Sequence, residues 1–157
     1  MKKSFFIFPV LLIVMLAGCD LFMPPPISVQ KQLSDQRFNG EFCYYGTGTF
    51  FSSWKFDGTN KVTWTVNTYH YIYDISTFEM EIKLQNGHLW SRLWNNEYSE
   101  WYDDGAYYFN NLGYLVLDGI TYRKIGNNRS ALESSPDRIN DDHIEHLVNE
   151  KLDFLNR

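Results

Sequence analysis

Phe78-Glu79-Met80-Glu81-Ile82-Lys83-Leu84 alternates apolar and charged residues without a break, and Asn86-Gly87 follows before a second apolar run starts at Leu89. Successive side chains of a β-strand point to opposite faces, so Phe78, Met80, Ile82 and Leu84 are predicted to face a dry side and Glu79, Glu81 and Lys83 a wet one. Asn-Gly tolerates positive φ at both positions of a two-residue hairpin turn, which predicts that the next strand returns antiparallel. Val62, Trp64 and Val66 alternate with Lys61, Thr63 and Thr65 in the same way, and Asp57-Gly58, Asp104-Gly105 and Asp118-Gly119 read as further turns. Strands are expected near 41–46, 49–56, 61–67, 69–74, 78–85, 88–94, 105–110 and 114–125, the last splitting at Asp118-Gly119. The fold class is therefore all-β: a meander of about eight strands with one dry face, closing into a small antiparallel up-and-down barrel. A β-sandwich is the alternative, disfavoured because the long connections of a Greek key are missing.

The N-terminus carries a different message. Met1-Lys2-Lys3 is basic, Phe5 to Leu16 is almost uninterruptedly apolar, and Leu16-Ala17-Gly18 precedes Cys19. This resembles a bacterial lipoprotein signal peptide with its lipobox. The resemblance implies cleavage after Gly18 and a lipid on Cys19, giving an envelope protein anchored to a membrane. A transmembrane helix fits less well, since twelve residues span about 18 Å of a ~30 Å hydrocarbon core. An ordinary secretory signal needs no cysteine at its boundary. The expected organisation is a signal peptide at 1–18, a lipidated N-terminus and Pro-rich tether at 19–39, the barrel at 40–125, and a polar loop with a helix at 126–157.

Within the barrel segment, Gly40-Glu41-Phe42 and Trp54-Lys55-Phe56-Asp57-Gly58, with Tyr114-Leu115-Val116-Leu117-Asp118-Gly119-Ile120-Thr121-Tyr122-Arg123-Lys124 at the end, resemble the opening hairpins and closing strands of small lipocalin-like domains of bacterial lipoproteins. These motifs encode turns and wall alternation, so the resemblance implies a fold and no reaction. In the tail, Ser135-Pro136-Asp137 reads as a helix start, and Ile144, Leu147, Val148, Leu152 and Leu155 recur at helical spacing. That stripe is expected to pack on the barrel or across its open end; the rival reading is a handle for a partner protein.

The formal net charge is −5, and the two lysines of the signal segment are among its few basic residues. An acidic chain lacks the footprint that neutralises phosphates, which argues against nucleic acid, and leaves the lipid to hold the membrane. With Cys19 lipidated, Cys43 has no intrachain partner; it reads as a small buried hydrophobe between Phe42 and Tyr44. His143 and His146 lack a third ligand at metal spacing and read as solvated, so no metal or other cofactor is expected. Asp103 with Asp104, and Glu97 with Glu100, sit in what read as turns, and no nucleophile elbow or phosphate loop is visible, so no enzyme is expected.

Two binding surfaces are candidates. Val62, Trp64, Phe78, Met80 and Ile82 would line a cavity if the barrel is hollow and carries a small apolar ligand. Trp90, Arg92 and Trp94 share one strand face opposite Leu89, Ser91 and Leu93, and would form an outward patch for an envelope protein or glycan if the leucines point inward.

Overall fold

The computed structural model describes residues 28–46, 50–67, 75–96, 98–125 and 141–157. Eight antiparallel strands, β1 (Asn39–Tyr45), β2 (Phe51–Asp57), β3 (Lys61–Asn67), β4 (Ile75–Gln85), β5 (His88–Leu93), β6 (Tyr102–Phe109), β7 (Leu115–Leu117) and β8 (Ile120–Lys124), each pair with the next. Phe42 opposite Lys124 and Cys43 opposite Arg123 join β1 to β8 and close the barrel, which excludes the sandwich. Closure removes the sheet edges that would otherwise offer unpaired backbone groups to other chains. One helix, α1 (Asp141–Leu155), is present among the described residues, and none of those is part of a helix long and apolar enough to cross a membrane.

The strand expected at 69–74 lies outside the described residues, as do the signal segment, Cys19 and the helix start at Ser135. In β3 and β4 the expected alternation holds. Phe42, Trp54, Phe56, Val62, Trp64, Val66, Met80, Ile82, Leu89 and Ile120 are buried in the core, while Lys55, Glu79 and Lys61 face out or sit half-buried. The interior is aromatic. Trp54, Trp64 and Phe78 lie side by side across β2, β3 and β4, with ring centroids 5.9 and 5.4 Å apart. Each such ring buries on the order of 150–250 Å², which is how a small barrel without a disulfide obtains a core.

The segment expected to be a spacer is partly built into the domain. Leu33 and Phe38 belong to the core, and Phe38 meets Phe56, Tyr107 and Phe109 edge-on at 4.9 to 5.2 Å. Gln32 bridges to Thr59, the Lys31 amide donates to Asn60 Oδ1 at 2.6 Å, and the Leu33 amide donates to the Gly58 carbonyl. Phe38 thus closes the barrel at the Phe109 end of β6, and α1 covers the Tyr102 end.

Asp104-Gly105 is not a hairpin turn. It lies inside β6, where Gly105 pairs with Leu89 and Asp103 with Trp90, leaving Asp104 as the extra residue of a β-bulge. The extra residue resets the alternation, so Tyr102 and Asp104 face inward before it and Tyr107 and Phe109 after it. Gly105 holds φ of +101°, and a Cβ there would lie 2.6 Å from the Asp118 Cβ. Gly105→Ala is therefore expected to destabilise the fold by about 2 kcal/mol or more, against about 1 kcal/mol for Gly113→Ala, where positive φ is the sole obstacle. Urea denaturation of the two variants measures the difference.

Candidate functional site

The helix stripe contains a residue of the wrong polarity. Ile144, Val148 and Lys151 fall four and then three residues apart on the face turned to the barrel, and all three are buried, Lys151 at 3% exposure. Its side chain enters the barrel end. Lys151 Nζ donates to Ser91 Oγ at 2.8 Å and forms an ion pair with Asp104 Oδ1. It also sits 4.2 Å from the Trp54 ring centroid, 4.7 Å from Trp64 and 5.5 Å from Tyr102. Aromatic faces carry negative electrostatic potential, so three rings, a hydroxyl and a carboxylate replace the water shell of the ammonium.

Burial penalises charge on both partners. It pushes the Asp104 carboxyl up from its ordinary value, opposed by the charge and hydrogen bond of Lys151 and by the nearby Ser91 hydroxyl. It pushes the Lys151 ammonium down, opposed by Asp104. Each ion is sustained by the other. Asp104 Oδ2 nevertheless stays buried without a hydrogen-bond partner. Asp104 also lines a cavity of about 280 Å³ between the barrel end and α1, walled by Trp54, Trp64, Tyr122, Ile120, Ile144 and Val148 and rimmed by His88, Asp103 and Asp118. Trp64 Nε1 donates to Ser52 Oγ at 3.1 Å, and burial raises the Tyr122 phenol above its usual range.

Of the five residues expected to line a ligand cavity, Trp64 alone borders this one. Val62, Met80 and Ile82 are packed core, and Phe78 is half-buried against it. The sequence pattern reads Asp104 as a turn residue and gives Lys151 no role. Lysine is ordinarily solvent-facing, and the Asp-Gly pair imitates a turn; the available signals were a lysine in phase with Ile144 and Val148, and the phase change between Tyr102 and Tyr107.

The outer face of β4 and β5 forms a second constellation. Leu89 and Ser91 point inward and are fully buried, so Trp90 and Arg92 stand outward, with Trp94 half-exposed just beyond. Cations and rings interleave there. Lys61 lies 5.3 Å from the Trp94 ring, Lys83 lies 5.3 Å from Trp90 and 4.3 Å from Trp101, and Arg92 lies 4.7 Å from Trp101. Arg92 Nη2 pairs with Glu81 Oε2 at 2.7 Å, and Ser28 Oγ donates to the same oxygen at 3.2 Å. The Asn95 amide donates to Ser28 Oγ at 3.2 Å. The first described residue is thereby pinned to this face.

His143 and His146 are exposed, His70 lies outside the described residues, and among the described residues no three His, Cys, Asp or Glu are grouped to hold a metal ion. No family model matches the chain, and comparison with curated proteins and with solved structures gives no match.

Cys43 is buried on β1, its Sγ 3.7 Å from Glu41 Oε1. Burial first, and then the Glu41 charge, push its thiol up from 9.0 to about 12. Native Cys43 is therefore expected to react with iodoacetamide at pH 8 at least about 100-fold more slowly than in urea, since the thiolate is the nucleophile. The raised value also makes stability attached to Cys43 complete below pH 9 and lost as pH climbs toward 12. Alkylation followed by mass spectrometry reads the first effect.

Proposed function

We propose that the chain is a lipid-anchored protein of the bacterial cell envelope whose barrel binds without catalysing, acting through the outer Trp90, Arg92 and Trp94 face on an envelope protein or glycan. The observation that carries this reading is the orientation of β5. Leu89 and Ser91 fill the interior, and the aromatic and cationic side chains stand on the outside. Tryptophan and arginine are the residue types on which binding energy concentrates in interfaces.

The anchor reading rests on the lipobox at Leu16-Ala17-Gly18-Cys19. A lipid on Cys19 lies nine residues from Ser28, a reach of at most ~30 Å for extended chain. Because Ser28 is held against Glu81 and Asn95, the patch faces partners close to the membrane surface. A carrier of an apolar ligand inside the barrel has less support, because Val62, Met80 and Ile82 are close-packed where its cavity would be.

Two variants test the two halves of the proposal. Cys19→Ala is expected to leave the barrel folded and to move the protein from the membrane fraction to the soluble fraction; continued detergent-dependent association contradicts the anchor. A photo-crosslinking residue at Lys83 is expected to give envelope adducts that disappear in Trp90→Ala/Trp94→Ala, while the same probe at Lys55 on β2 gives none. Equal adducts from both positions contradict the patch.

A further inference from the structure

The cavity between α1 and the barrel end has chemistry that the outer-face reading leaves unused. From its lining we infer a binding site for a small organic ammonium ion with an apolar body.

The walls and the polar end point to the same class of ligand. Asp104 borders the cavity, and its Oδ2, in a side chain 5% exposed, is a buried acceptor without a hydrogen-bond partner. A carboxylate oxygen can only accept, so the missing partner carries N–H or O–H groups. A buried polar atom left unpaired costs free energy, which a donor entering the cavity recovers. The charge at the rim chooses between the two kinds of donor. Asp103, Asp104 and Asp118 border the cavity against the single ammonium of Lys151, an excess of negative charge when the histidines are neutral. Asp118 lies 3.9 Å from His143, and Asp103 accepts from His88 Nδ1 at 3.0 Å, so both carboxylates are oriented at the entrance. A cation enters down this gradient and an anion is repelled.

The molecule itself demonstrates what the walls accept. Lys151 holds its ammonium over Trp54, Trp64 and Tyr102 while bonded to the other oxygen of Asp104. The same two indoles continue into the cavity, where Ile120, Ile144 and Val148 complete an apolar lining. About 280 Å³ admits one aromatic or branched aliphatic body of modest size, below the usual range of drug-sized pockets. The ligand ammonium shares the Asp104 carboxylate with Lys151, each on its own oxygen, and the rim carboxylates offset their mutual repulsion.

Benzylamine, benzyl alcohol and benzoate present one ring with a cation, a neutral donor and an anion, and titrate the site calorimetrically against the full chain in matched detergent. Benzylamine is expected to bind with one saturable site below about 10 mM, benzyl alcohol about tenfold more weakly, and benzoate not at all. Asp118→Asn keeps a residue tolerant of positive φ and is expected to weaken benzylamine about threefold through the lost charge. Leu147→Trp fills the cavity and is expected to abolish binding, whereas Trp90→Ala on the outer face leaves it unchanged. Benzyl alcohol binding as tightly as the amine, preference for benzoate, absence of saturable binding, or retention of binding in a folded Leu147→Trp chain each overturns the inference.

Discussion

The Lys151 ammonium, withdrawn from water into a ring of aromatic side chains and an aspartate, is the contact on which the closed end of this barrel depends. A lysine buried to this degree is expensive, because removing an ion from water costs several kcal/mol even after the protein relaxes. The cost is offset by a specific set of partners on four elements: Ser91 of β5, Asp104 of β6, and the indoles of β2 and β3. Those elements come together only in the closed barrel. The pair therefore selects one seating of α1, with Ile144 and Val148 following Lys151 into place, where an all-apolar stripe could slide.

The bulge in β6 serves the same contact. An uninterrupted strand carrying Tyr102 and Asp104 inward would turn Tyr107 and Phe109 to solvent, and these two residues meet Phe38 at the opposite end. One extra residue at Asp104-Gly105 lets a single strand place a carboxylate at one mouth and an aromatic plug at the other. Gly105 is required there, since the backbone passes too close to Asp118 for any Cβ. Wall, plug and ion pair thus constrain one another, and the space left over is the small, polar-ended cavity under α1.

Much of this was legible in the order of the residues. Strict alternation at 78–84 and at 61–66 corresponds to β4 and β3, because a one-residue slip would expose every apolar side chain. Asn86-Gly87 and Asp118-Gly119 are tight turns with positive φ at both residues. Leu89-Trp90-Ser91-Arg92 left two orientations open, and the burial of Ser91 beside Lys151 is what turns the tryptophan outward. Asp104 and Lys151 were hidden because each has a commonplace reading by itself, a turn aspartate and a helix-surface lysine. Their pairing spans 47 residues, and local pattern carries no information at that separation.

A double-mutant cycle on Asp104 and Lys151 addresses the central claim most directly. Lys151→Met and Asp104→Asn are each predicted to lower unfolding free energy by about 3–5 kcal/mol by stranding the partner, and the double variant to lose well short of the sum. Single variants that each cost under about 0.5 kcal/mol, or losses that add within that margin, would show that the two groups do not meet as an ion pair inside the barrel.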